Sequence, residues 1–167
     1  MADIAFLITR SSTPCDPATV VQHASDLSLE LAISPNDNSS NGATELLSFS
    51  CNDGRPGMLV CTFLPVPHPD ASSLPVGALS PTADELAEGR SHIILVGFGV
   101  EGTPEERDAV MYLFAAAVAR STDAVGAMLG SATSLHRADA FLDLVAQIPE
   151  HGIPPELNVQ PQDPETT

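Results

Sequence analysis

The feature that most limits what this chain can fold into is the apolar run 109–119. Thr103 is suited to cap a helix and Pro104 to its first turn, and Glu106 completes a capping box with Thr103. Because the helix that follows is apolar on almost every side, it must lie between a sheet and a further covering layer. The run is shorter than the ~20 apolar residues that a membrane-spanning helix needs.

Most other apolar segments have the character of strands. Residues 47–51 alternate apolar and polar side chains, 52–57 are turn formers, and 58–64 are apolar on both faces, which predicts a hairpin with a central second strand. The remaining predicted elements are strand 4–9, a helix from Pro17, strand 27–33, loop 34–42, an extended proline-rich connection 65–81, a short helix 82–88, strand 92–98, strand 124–129, helix 137–148 and strand 157–159.

This order of elements favours an α+β fold. The hairpins predict a mainly antiparallel sheet of about six or seven strands, with three or four helices packed mostly on one face, rather than a doubly wound parallel sheet. The length fits a single domain over residues 1–160. Residues 161–167 are acidic and carry a proline, and we expect a disordered tail there.

Charge is the strongest functional signal. The 22 acidic residues face six arginines and no lysine, for a formal net charge of -16. Nucleic acid and anionic membrane surfaces are therefore disfavoured as partners. Two origins of the acidity stay open, namely a GC-rich or salt-adapted host and an acidic surface that meets a basic protein partner. The sequence leaves the oligomeric state open.

The N-terminal sequence and the cysteines indicate a cytoplasmic protein. Asp3 lies in a start that has no basic region followed by a long apolar stretch, unlike a secretory signal. Cys15, Cys51 and Cys61 are odd in number and widely spaced, so we expect free thiols, two of them in the core.

Gly97, Gly99 and Gly102 match the G-x-G-x-x-G pattern of dinucleotide-binding loops. The helix begins only after the third glycine, and its first turn holds Glu105 and Glu106, which would repel a pyrophosphate. We therefore interpret these residues as a plain glycine-rich loop and predict no cofactor.

Two groups of polar residues are the candidate sites. Ser134, His136 and Asp139 include the residue types of a hydrolytic triad, although a helix N-terminus explains the same residues more simply. His68 and Asp70 lie together in the proline-rich connection. No histidine pair has the i, i+4 spacing of a zinc site, so no metal is predicted. We predict no catalytic residue. The predicted binding residues are His68, Asp70, His92 and His136.

Several short segments together resemble an uncharacterised bacterial family, the domain of unknown function numbered 4261. They are Phe63 to Pro67 at the end of a central strand, His92 directly before strand 93–96, the apolar helix leading into strand 124–129, and the C-terminal segment Pro155 to Val159. The resemblance covers residues 3–160. It implies no established activity, and it singles out Pro65, Pro67 and His92.

Together these observations predict a non-enzymatic intracellular binding module of an accessory or immunity type, which masks a basic partner. The alternative is a small hydrolase that uses Ser134, His136 and Asp139, or a site of His68, Asp70 and His92.

Overall fold

A computed structural model describes residues 3–34, 39–41, 44–52, 54, 56–74, 76–129 and 135–157. The strands are β1 (Asp3–Thr9), β2 (Leu31–Ile33), β3 (Ser39–Asn41), β4 (Thr44–Cys51), β5 (Met58–Leu64), β6 (Ser91–Phe98), β7 (Ala124–Leu129) and β8 (His136–Arg137). The helices are α1 (Pro17–Asp26), α2 (Ala83–Ala87), α3 (Pro104–Arg120), α4 (Ala138–Val145) and α5 (Ile148–His151), and 3-10 turns occupy Ala71–Ser73 and Pro155–Leu157.

The strands form one antiparallel sheet in the order β2-β4-β5-β6-β1-β7-β8, and β3 pairs with β4. The longest ladders lie at the centre, where β6 is hydrogen-bonded to both β5 and β1. Helices α1, α3 and α4 pack on one face, while α2 contributes Leu86 to the other. The predicted α+β class is confirmed.

Helix α3 is the centre of the helical layer. Its capping box is present, because the Thr103 hydroxyl accepts from the Glu106 amide while the Glu106 carboxylate accepts from the Thr103 amide. Every residue from Val110 to Ala119 is buried, since the helix contacts β1 and β7 below and α1 and α4 beside it. Gly97 permits the close approach of β6, because a Cβ there would lie 2.9 Å from the sulfur of Met111.

Alternation along the strands decides which side chains face which layer. Leu7 on β1 and Ile93 on β6 are paired and belong to the core beneath the helices. Their neighbours Ile8 and His92 are also paired and point to the opposite face. A second, smaller core lies on that face around Ile8, Val125 and Leu135.

Four predicted elements differ in the structure. The predicted strand 27–33 begins only at Leu31, because Ser28 takes the left-handed conformation (φ 66°) and the Leu29 amide donates to the Ala24 carbonyl. Loop 34–42 contains β3. Helix 137–148 is divided into α4 and α5, and Pro149 lies in the first turn of α5.

The predicted strand 157–159 is wrong at Leu157, which ends a 3-10 turn and packs into the core. Residues 158–159 and the predicted tail 161–167 lie outside the described residues.

Candidate functional site

The connection, residues 65–90, joins β5 to β6, which are neighbouring antiparallel strands. A two-residue turn would suffice for such a link. Instead the chain crosses the sheet face opposite the helices, where Ala71, Leu74 and Leu86 pack against the smaller core. The connection therefore covers part of that face and carries polar residues onto it.

Two of the predicted binding residues meet beneath the connection. His92 is buried on β6, and its Nδ1 donates to the Val66 carbonyl oxygen at 2.8 Å. The His68 ring stacks on Phe6 with centroids 5.0 Å apart, and it meets the His92 ring edge-on at 5.1 Å. The alternative site of His68, Asp70 and His92 grouped these histidines by residue type, but their ring contact could not be derived because they belong to different elements.

The imidazole of His68 is held in its neutral form. The Asp70 backbone amide donates to its Nδ1 at 3.1 Å, so the ring proton resides on Nε2. Burial, followed by the neighbouring His92, lowers the pKa of His68, and the nearby Asp70 opposes the shift only in part. His68 is therefore predominantly uncharged at neutral pH.

The arrangement of His68, Asp70 and His92 differs from a catalytic relay. Asp70 engages His68 through its backbone amide, whereas a relay requires a carboxylate that accepts from the imidazole. His92 already donates to a main-chain carbonyl. Within the described ranges, neither imidazole is hydrogen-bonded to a hydroxyl or thiol. The geometry suits positioning and packing better than proton transfer.

His136 lies on the other side of the sheet. It pairs with Ala127, whose side chain is in the core beneath the helices, and its Nε2 is 3.0 Å from the Glu156 carbonyl oxygen. Asp139 accepts from the Ala140 amide and lies 3.5 Å from the Arg137 guanidinium. Ser134 lies outside the described residues. The structure thus groups His68, Asp70 and His92 and separates His136 from them.

A cavity of about 640 Å³ opens within the connection. We call it the connection cavity. Among the described residues, its walls come from the connection, with small and apolar side chains in the majority. The lining residues are His68, Pro69, Ala71, Val76, Gly77, Ser80, Pro81, Thr82, Ala83, Leu86 and Ala87. The proline-rich sequence carries no periodicity that could have predicted a cavity.

The hydroxyl groups on the cavity wall have partners within the protein. Ser80 Oγ accepts from the Gly77 amide at 2.7 Å and donates to the Leu135 carbonyl. Thr82 Oγ1 accepts from the Glu85 amide at 3.2 Å as the cap of α2. These hydrogen bonds hold the cavity wall in place, so the hydroxyl groups of Ser80 and Thr82 already have partners within the protein.

Ion pairs lie beside α2, the helix that supplies part of the cavity wall. Glu85 on α2 is 3.1 Å from the Arg137 guanidinium, and Glu88, just after α2, pairs with Arg10. Arg10 also lies 3.3 Å from Asp123. Arg10 and Arg137 each face two carboxylates, so these pairs compensate the acids beside α2 only in part.

Part of the sheet face that the connection crosses remains exposed. Ile4, Met58 and Phe98 remain 50%, 37% and 46% exposed on β1, β5 and β6. Met58 is paired with Phe98, and Ile4 with the half-buried Val96 one row away. We call these four residues the open half of the sheet. Exposed apolar clusters of this kind are typical of interaction surfaces.

Backbone geometry explains why glycines occupy the loop before α3. Gly99 and Gly102 both have positive φ values, 65° and 133°, which favour glycine. The capping box already uses the Thr103 and Glu106 amides at the start of α3. Turn geometry and capping thus account for the pattern that resembles a dinucleotide fingerprint.

All three cysteines are buried. Cys61 faces the helices, on the opposite side of the sheet from His68, so this thiol and this imidazole cannot form a nucleophile and base pair. A side-chain hydrogen bond with Cys15, together with burial, raises the pKa of Cys61. The thiol of Cys61 therefore stays protonated at neutral pH.

Among the described residues, no helix has both the length and the apolar content to cross a membrane. The same residues contain no cluster of three or more histidine, cysteine or acidic side chains suited to a metal ion. The chain has no match among protein-family models, curated proteins or solved structures. The resemblance to the family numbered 4261 stays a prediction.

Proposed function

We propose that this protein is a cytoplasmic binding module of an accessory or immunity type, which holds a basic protein partner against the open half of its sheet. The observation that carries the proposal is the apolar surface of Ile4, Met58 and Phe98. Burial of such side chains is favourable, at about 25 cal/mol per Å² removed from water. A partner that covers them would gain this energy without any rearrangement of the sheet.

The net charge specifies the chemistry of the partner. At -16, this protein repels acidic proteins and also a second copy of itself. A basic partner would instead be attracted over the screening length, about 8 Å at physiological salt. Apolar contacts in the centre and charges around them are the usual anatomy of an interface.

A binding role fits the polar residues better than catalysis does. His92 is bonded to the Val66 carbonyl, and His68 receives the Asp70 amide. Both histidines thus support the fold of the connection. The connection, folded in this way, leaves the open half of the sheet exposed. The role of His68 and His92 is therefore to hold the connection away from the binding surface.

Site-specific photo-crosslinking in the native host tests the proposal. Phe98 is replaced by p-benzoylphenylalanine, and Ala146, which is exposed near the end of α4 on the helical side, carries the same group in a control strain. We expect a single protein of basic isoelectric point to be crosslinked from position 98 and not from position 146. Crosslinking only to acidic proteins, or equal products at both positions, would contradict the proposal.

Purified partner then allows a quantitative test. Phe98→Ser should weaken binding about 30-fold, because truncation of a central aromatic anchor costs about 2 kcal/mol. Ala146→Ser is the matched control and should leave the affinity unchanged.

A further inference from the structure

The length of the connection is unexplained by its role as a link. It occupies residues 65–90 between two strands that a tight turn could join. Loops that join the two strands of a hairpin are usually only about 2–5 residues long. Here the extra chain is ordered by α2, by a 3-10 turn and by the Ser80 bonds, and it lines an open cavity.

The size and walls of the connection cavity match those of small-molecule sites. Its volume of about 640 Å³ lies within the ~300–1,000 Å³ range of ligand pockets, which are mostly apolar with few polar groups. Val76, Pro81 and Leu86 supply apolar wall. The Ser80 hydroxyl both donates and accepts within the protein, so it adds little polarity.

The charges around the cavity disfavour an anionic ligand, and its described lining residues include no carboxylate to bind a cation. Arg137 and Arg10 are paired with Glu85 and Glu88, so no cation is left over from these pairs to attract an anion. His68 on the wall is held neutral by burial and by the Asp70 amide at its Nδ1. Its Nε2–H is then the hydrogen-bond donor of that ring. The net charge of -16 further disfavours anions.

We propose that the connection cavity binds an uncharged, apolar small molecule of drug-like size, with at most one hydrogen-bond acceptor for His68. This site is distinct from the open half of the sheet, and the inference goes beyond the proposed protein partner. Either proposal can fail without the other.

The test uses N-phenyl-1-naphthylamine, an uncharged probe whose fluorescence rises in apolar surroundings. The chain has no tryptophan and a single tyrosine, so background emission is low. We expect saturable binding at one site. Ala83→Phe and Ala87→Phe, at two exposed positions on the cavity wall, should each raise the dissociation constant at least tenfold. Far-ultraviolet circular dichroism confirms that each variant is folded.

Three comparisons identify the site and the ligand class. Ala146→Phe makes the same change at an exposed position away from the cavity and should bind as the wild type does. Phe98→Ser disrupts the open half and should also leave probe binding unchanged. The sulfonated probe 8-anilinonaphthalene-1-sulfonate, of nearly the same shape, should bind at least tenfold more weakly than the uncharged one.

Four results would overturn the inference. They are no saturable binding by the wild type, unchanged binding in both cavity variants, loss of binding in Phe98→Ser, and equal or tighter binding of the sulfonate. The third would place the probe on the open half, and the fourth would show that the site prefers anions.

Discussion

Phe114 offers the sharpest test of the fold, because its side chain is fully buried at the centre of α3. Its ring meets that of Phe49 edge-on, with centroids 5.7 Å apart. Strands lie beneath α3 and helices beside it, so the neighbours cannot close the space that Phe114→Ala would leave. We expect a loss of about 3–5 kcal/mol in the free energy of unfolding, which for a chain of this size lowers Tm by about 6–20 °C.

The matched control is Phe98→Ala, the same chemical change at a side chain that is 46% exposed. Since only about half of that side chain is buried, we expect a loss of about 1 kcal/mol. Urea unfolding followed by circular dichroism measures both variants, and the slope of the transition checks that each unfolds in two states. Equal losses at the two positions would refute the assignment of a buried face and an open face.

Three further predictions follow from charges and pKa shifts. In an NMR titration, His68 should have a pKa below about 6.5, and the substitution His92→Gln should raise that pKa. Because the unfolded chain binds a proton at His68 more readily than the folded protein does, the free energy of unfolding should fall as the pH drops below about 6.5. The fall should be smaller in His68→Gln. Tyr112 is the only tyrosine, and its pKa is raised mainly by burial and also by the nearby carboxylate of Asp108. The absorbance of ionised tyrosine at 295 nm should therefore increase in alkali only when the protein unfolds. An increase near pH 10 in the folded protein would contradict this. At pH 7, Tm should rise from 0.01 M to 1 M sodium chloride as the screening length shortens from about 30 Å to about 3 Å; a flat or falling Tm would show that repulsion between the acids is unimportant.

The sequence predicted those parts of the fold whose signals are local. The start of α3 is encoded by Thr103, Pro104 and Glu106, and its burial by the apolar run that follows. The hairpin of β4 and β5 is predicted by consecutive residues, in which alternating apolar and polar side chains are followed directly by turn formers. Two short strands were missed. β3 consists of two serines and an asparagine, and β8 of a histidine and an arginine, so neither has an apolar pattern.

Leu27 and Leu29 misled the prediction for a different reason. Their alternation is typical of a strand, and both side chains are indeed buried. The backbone, however, turns at Ser28 to finish α1, so burial came from a turn that enters the core. Period-two alternation over so few residues does not distinguish these two cases.

The candidate site was predictable only in part. His68 and Asp70 are neighbours in sequence, but the approach of His92 depends on the connection crossing the sheet. His136 was grouped with them by residue type alone, and the register of β8 with β7 turns it to the opposite face. One signal for the connection cavity was present, namely the great length of the link between two adjacent strands.

The central claim is that the open half of the sheet binds a basic partner, and association kinetics test it most directly. Stopped-flow or surface plasmon resonance would compare the wild type with Phe98→Ser against the crosslinked partner at low and high salt. We predict that the association rate of both proteins falls steeply with salt, while Phe98→Ser changes mainly the dissociation rate, raising it about 30-fold. Association that ignores salt, or identical dissociation rates for the two proteins, would contradict the account.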